Sequence, residues 1–390
     1  MNFYMDAGVF KSVVERVSTV ARKKGPMPFF HQIKLVADQE SNMVCVAASN
    51  ITTCAKVYCN PGSTVNVVES GEVFLDMDTI KRLFNVTGYV QICSAENNML
   101  VAKNGKKAAK IHAESDKDFP EFPEQNDRIH VVEVDKDDFM GTMENMQYFI
   151  ADSDVRPIYT CVNLNSGEKR MSAVSGYHLL DRIVDWDFCN VANFNIPILA
   201  LKELKKVAMK GSEKFNLYLC QKKKYLRVIG SDFEYFIRLV EGVFMNVETS
   251  FPYSSACEFT LDTEKLAEVT KEYTSYNSKD SILPMYFAMK QYALAAVYRR
   301  IDFETCDVLA GNFKNLPEGY IIAMNPVYIK NVADVFKKLG FSVTVKCENN
   351  SHTPWTFYSS NGYRALVLPV RMKEDAKDEI FSMLGELNAA

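Results

Sequence analysis

The sequence predicts an α+β protein of three tandem copies of one domain, each built from two strand-helix-three-strand halves, and three observations predict it. The first is a recurring helix start: Asp6, Asp135 and Asp262 each stand four residues before an apolar side chain, Phe10, Phe139 and Leu266, about 127 to 129 residues apart. The second is another trio in nearly the same rhythm, "IKRL" at 80–83, "LKEL" at 201–204 and "IKNV" at 329–332. The third is a set of segments between them, "NMVCVAASN", "YVQICSA", "KRMSAVS", "YLRVIGS" and "SVTVKCE", that alternate as half-buried strands do. Repetition of a whole domain favours an architecture whose purpose is geometric.

The elements follow in order. First helices are expected near 6–22, 135–150 and 262–275, with apolar residues at helical spacing, as in Val9, Val13, Val14, Val17 and Val20. Aspartate opens each one because its carboxylate satisfies the unpaired amides of the first turn. Second helices are expected near 77–86, 198–210 and 326–339, with Pro197 and Pro326 in first turns and Gly211 and Gly340 as left-handed closing residues. Breaks at "SDKDFPEFPEQND" and "SFPYSSACE" divide the chain into domains 1–128, 129–254 and 255–372. A charged tail, 373–390, carries Ile380, Phe381, Met383, Leu384 and Leu387 at roughly helical spacing; a mobile surface helix is its default form, with a lid or a packed helix as alternatives.

Composition removes several function classes. A net charge of −4 excludes a uniformly basic nucleic-acid coat but not local basic surfaces. No run approaches eighteen apolar residues and the N-terminus has no signal-like core, so a soluble, cytoplasmic chain without membrane contact is expected. The ten cysteines form no Cys-x-x-Cys pair and read as buried free thiols. Five dispersed histidines and the absence of Walker, Gly-x-Ser-x-Gly or His-x-x-x-His patterns argue against a catalytic centre, so no enzyme, no metal and no cofactor is expected. His178 near Asp181 resembles a base with its orienter only superficially, and a lining or structural role suits it better.

Six segments in order resemble one family, the bacterial sliding clamps, the beta subunits of DNA polymerase III. They are "DFPEFP" at 118–123, "DVRPIYTCVNL" at 154–164, "SGYHLLD" at 175–181, "LVEGVFMNVETSFP" at 239–252, "MNPVYIKNV" at 324–332 and "ALVLPVR" at 365–371. The resemblance spans about residues 1–372 and implies a head-to-tail homodimeric ring of six domains around double-stranded DNA, helices inside and sheets outside. Domain size agrees: about 125 residues make a body roughly 35 Å across, and six in a circle leave an opening of about 35 Å, wider than a duplex. The implied partners are the replicative polymerase, clamp-loader subunits and other replication and repair proteins, each engaging by a short peptide motif.

Lys202, Lys205, Lys206 and Lys210 share one helix face by their spacing, an arrangement that an ordinary solvated face also produces. With the ring implied, Arg22, Lys23, Lys24, Lys81, Arg82, Lys202, Lys205 and Lys206 become the expected DNA-proximal residues. The lining cannot be uniformly positive, because Asp135, Asp137, Asp138, Glu144, Glu264, Glu268 and Glu272 make two of the first helices acidic.

The resemblance also implies a peptide pocket formed by Tyr159, Ser175, Tyr177, His178, Leu179, Leu180, Met245, Thr249, Ser250, Asn325, Tyr328, Pro354, Leu366, Val367, Leu368, Pro369, Val370, Arg371 and Met372. Aliphatic and methionine side chains suit an adaptable floor, and Asn325, Tyr328 and His178 can fix a peptide backbone. The chain departs from the family at Gly176-Tyr177, where Asp-Gly is usual, at Leu179, where arginine follows the histidine, and at Met245 and Thr249, which replace proline and arginine. A bulkier, more apolar pocket with altered anchor preference is expected. Ring closure is placed at Lys107, Ala109 and Ile111 on one edge and Tyr273, Arg300 and Asp302 on the other. The alternative function is a metal-dependent nuclease or another nucleic-acid enzyme of repeated α+β domains, with acidic pairs such as Asp152 and Asp154 as metal ligands; a protein scaffold without DNA is a third class.

Overall fold

Six times along the chain a strand leads into a helix that is followed by three strands. This is a computed structural model; it describes residues 1–387 except 22–27, 60–64, 84–85, 97, 114–118, 124–126, 152–155, 209–212, 221, 253, 279–280, 292, 310, 314–315, 341 and 374. The helices are α1 Ala7–Val17, α2 Met77–Leu83, α3 Lys136–Met146, α4 Leu199–Val207, α5 Thr263–Ser275, α6 Pro326–Leu339 and α7 Ala376–Leu387. Among the described residues no helix is long and apolar enough to cross a membrane.

The three aspartates act as the sequence predicts. Asp6 accepts from the amides of Gly8 and Val9, Asp135 from Asp138 and Asp262 from Lys265, at 2.8–3.0 Å. Asp76 and Asn325 do the same for α2 and α6. Three expectations need correction. Pro197 ends the strand Asn193–Pro197 instead of entering α4, whose cap position is Ile198. Gly340 closes α6 with φ 169°, extended and not left-handed, while its amide still reaches the Phe336 carbonyl. The regular part of α1 stops at Val17, short of the predicted Arg22. Gly211 lies outside the described residues.

The chain forms two compact units, Met1–Glu144 with Trp186–Glu241, and Asn145–Asp185 with Gly242–Ala390. In the first, an eight-stranded antiparallel sheet runs from Ile129–Asp135 through the strands at 214–220, 225–229 and 233–238 to those at 53–59, 43–49, 32–38 and 71–76. The strands Phe233–Arg238 and Thr53–Cys59 join its two halves. The boundary segment near 119–123 is no loose linker: Phe119 and Phe122 step between Phe74 and Phe236, ring to ring at 5.1–6.2 Å. A separate five-stranded sheet has the strand Lys107–His112 at one edge. Arg16 of α1 reaches the Val207 carbonyl at the end of α4 and pairs with Asp232 at 2.6 Å, tying the two helices together in a nearly buried ion pair.

In the second unit, pairing of His178–Ile183 with Tyr363–Val367 makes one continuous sheet from strands that are far apart in sequence. A four-stranded sheet follows the order 303–308, 293–300, 285–290, 321–324. One face carries Met285, Phe287 and Leu294 into the core, where Tyr273 of α5 donates to the Ala296 carbonyl. The other face is apolar too, with Ala288, Ala295, Val297 and Ile321. The tail covers it: Ile380, Met383 and Leu384 of α7 are buried there. The default expectation of a mobile surface helix is therefore wrong, because a sheet apolar on both faces needs a cover and the tail's stripe supplies it.

Candidate functional site

In the second unit, tertiary structure gathers most of the predicted pocket residues around the junction of His178–Ile183 with Tyr363–Val367. His178 lies opposite Val367 and Leu179 opposite Leu366. Beneath them Val174, Leu179, Phe244, Val247, Phe251 and Leu366 form a buried cluster, against which Tyr159, Met245 and Tyr358 pack. Leu179 and Leu366 face this cluster, and Leu180 and Val367 are buried on the opposite face of the sheet with His178, whereas Tyr177, Leu368 and Val370 stand 62%, 38% and 37% exposed. The Leu368 amide donates to the Tyr177 carbonyl at 2.9 Å and the Val370 amide to Ala323 at 2.8 Å, holding the exposed wall in place.

An aromatic stack crosses the site. The Tyr328 ring lies 4.3 Å from His178 and 6.1 Å from Tyr177, nearly parallel to both. His178 is only 3% exposed, and its two ring nitrogens meet Ser175 Oγ at 2.5 Å and the Tyr148 carbonyl at 2.9 Å. Those contacts orient the ring within the protein. Asn325 Oδ1 accepts from the Val327 amide and starts the helix that carries Tyr328. Thr249 and Ser250 occupy a single helical turn, Glu248–Ser250; Pro354 and Pro369 are partly buried and Arg371 exposed. Met372 points elsewhere and packs into the α7 cluster.

An ionic network that sequence reasoning missed underlies these residues. Asp181, fully buried, meets Arg170 and Arg364 at 2.7 Å each and accepts from Ser172 at 2.6 Å. Glu248 closes the network onto both arginines at 3.0 and 2.5 Å, and the Arg364 guanidinium lies 4.0 Å from the Phe251 ring centre. Burial pushes the Asp181 carboxyl up, against the opposing pull of Ser172, Arg170 and Arg364. The hydrogen bond from Arg364 holds Glu248 below the usual carboxylate range. The signal was weak because the four charges come from three separated segments.

Basic residues are less simply arranged. On α4, Lys202, Lys205 and Lys206 are exposed. Its one acid, Glu203, turns inward to accept from Asn50, Thr53 and Tyr235. Lys205 meets Glu144 of α3 at 2.5 Å, so the acidic helix neutralises part of the stripe. Lys81 is partly exposed; the side chain of Arg82 and all of Arg22, Lys23, Lys24 and Lys210 lie outside the described residues, as do Asp152 and Asp154. In the second unit, a groove between α5 and α6 is lined by Glu268, Lys271, Glu272, Asp334, Lys337 and Lys338, a balanced set of charges.

The first predicted closure set, Lys107, Ala109 and Ile111, lies on an edge strand; of the second, Tyr273 is in α5, Arg300 ends the interior strand 293–300 and Asp302 is in the turn before the edge strand. Lys107–His112 ends the five-stranded sheet and Phe303–Val308 ends the four-stranded one. The expected apolar centre is not at the surface: Ile111 is nearly buried and Tyr273 fully so, its hydroxyl on the Ala296 carbonyl and Asp307. Ile301, Phe303 and Val308 are exposed apolar groups there, while Arg300 and Asp302 pair with each other at 2.6 Å. The ten cysteines are free; six are buried, three are partly buried and Cys189 is exposed, an exception to the expected burial. Among the described residues no cluster of three or more His, Cys, Asp or Glu side chains is placed to hold a metal ion.

Comparison with known proteins agrees over most of the chain. No protein-family profile matches it. It is 20% identical over 276 residues to the beta sliding clamp of Halalkalibacterium halodurans, covering 68% of this chain and 71% of that one. To the beta sliding clamp of Bacillus subtilis it is 20% identical over 278 residues, 69% and 72% of the two chains. The crystal structure of the Bacillus subtilis DNA polymerase sliding clamp superposes with a TM-score of 0.85 at 17% identity, covering 96% of this chain and all of the other. The beta subunit from DNA polymerase of Streptococcus pyogenes superposes at 0.84 and 15% identity, over 95% and 100%.

Proposed function

We propose that this chain, which has the fold of the beta sliding clamps and is their distant sequence relative, works as a DNA polymerase sliding clamp: two copies close head to tail around duplex DNA, and the ring tethers polymerase and other DNA-processing proteins through the apolar pocket. It is a processivity factor without a catalytic site of its own. The observation that carries the reading is the pair of open edges. Within the chain, edge pairing of 233–238 with 53–59 and of 178–183 with 363–367 already turns half-sheets into continuous ones. The five-stranded and four-stranded sheets are two halves that remain open, and strand edges left unpaired are templates for another chain. The two edges differ in charge: Lys106, Lys107 and Lys110 lie on one, and the other carries Glu304, which pairs with Arg299 of its own sheet. Three domains in each copy, cut near 128 and 254, make the circle six.

Enclosure gives processivity without tight binding, so contacts from Lys202, Lys205, Lys206 and the other basic residues are expected to be few and salt-sensitive. The test is loading onto nicked circular plasmid with a clamp loader and ATP, followed by linearisation. Retention on the circle and loss from the linear form is expected; retention on both overturns the ring, and metal-dependent cutting favours the nuclease alternative.

A further inference from the structure

We infer that α7 is a latch that positions the exposed wall of the pocket; the inference rests on the peptide-pocket reading above. The wall, residues 368–372, runs directly from the strand Tyr363–Val367 toward α7, and the structure fixes it at three places. The first two are the amides of Leu368 and Val370, bonded to Tyr177 and Ala323. The third is Met372, which packs in the same cluster as Ile380, Met383 and Leu384. One residue of the predicted pocket is therefore packed in the cluster that the tail helix completes.

The helix is seated by more than apolar packing. Lys290 Nζ donates to the Phe381 carbonyl at 2.9 Å, and Arg299 pairs with Glu379. Both partners stand on the sheet whose outer face α7 covers, and that sheet's strand Ile321–Met324 supplies the Ala323 carbonyl that receives Val370. Seating of α7 and ordering of the wall thus use one sheet as a common base. A wall ordered before a peptide arrives spares the peptide that ordering cost, and a wall whose third fixing is lost opens locally more often.

Two variants undock the latch: Ile380→Asp with Met383→Asp, and deletion of residues 376–390. Amide exchange at Leu368 and Val370 is the first readout, and the affinity of a synthetic peptide with leucine and phenylalanine anchors is the second. Undocking is expected to speed exchange at those amides about tenfold and weaken the peptide about fivefold, while exchange in Trp355–Tyr358 is unchanged. Ile380→Val with Met383→Leu is expected to keep both wild-type values. Lys290→Ala, a milder change that leaves the apolar seat intact, is expected to shift exchange in the same direction by a smaller factor. Wild-type exchange and affinity in the undocked variants would overturn the latch. If instead Leu368→Asp binds the peptide as well as wild type does, the pocket reading fails, and exchange at Val370 still reports on the latch.

Discussion

His178 illustrates how far a residue's neighbours change its meaning. The segment "SGYHLLD" marks it as a pocket residue able to bond a peptide backbone, yet its ring nitrogens meet Ser175 and the Tyr148 carbonyl and its face supports Tyr328. The exposed apolar surface belongs to Tyr177, Leu368 and Val370. Leu368→Asp is expected to abolish binding of an apolar-anchored peptide while leaving the melting temperature near wild type, measurable by titration calorimetry and thermal melts. Beneath these residues, Asp181→Ala is expected to destabilise the chain by about 1–3 kcal/mol, because it removes the buried one of the two carboxylates that Arg170 and Arg364 share and leaves only Glu248. Glu248 gives a pH signature. Its carboxyl is held low by Arg364, so its stabilising contribution is present above the ordinary carboxylate range and is lost as pH falls through the lowered value. Glu248→Gln should therefore melt below wild type at pH 7, and the gap should close in acid.

Helix starts were the elements most legible from sequence. An aspartate followed by an amphipathic stripe needs no distant partner to begin a helix, and Asp6, Asp135 and Asp262 each make the expected bond. Helix surfaces were less legible. The spacing of Lys202, Lys205 and Lys206 shows a shared face but cannot show that Glu144 of α3 meets the middle lysine. Lys202→Ala or Lys206→Ala is expected to reduce the salt dependence of DNA retention by roughly one phosphate contact, and Lys205→Ala by less. Measuring retention on circular plasmid across salt concentrations separates them. The stripe of α7 was readable as amphipathic, while the surface that receives it lay hidden in "MYFAMK" and "ALAAVYRR", strands too apolar for a sheet with one face in water.

At the scale of the whole molecule, the proposed ring closes through the two edge strands. Lys107→Glu with Lys110→Glu reverses the charge of one edge and puts acid toward the strand of Glu304, and light scattering should find a monomer that no longer stays on circular plasmid. An unchanged dimer would place the contact elsewhere. The sequence by itself determined the α+β class, the order of strands and helices, the aspartate caps and the repeat rhythm, since each depends on interactions a few residues long. By resemblance it also pointed to segments that the fold brings together around the junction of 178–183 with 363–367. Only tertiary structure could set His178 opposite Val367, unite Asp181 with Arg364 and Glu248, bury Ile111 and Tyr273, and seat the tail on a sheet. Those outcomes depend on strand register and side-chain packing between distant segments, where a one-residue slip would turn every side chain to the other face.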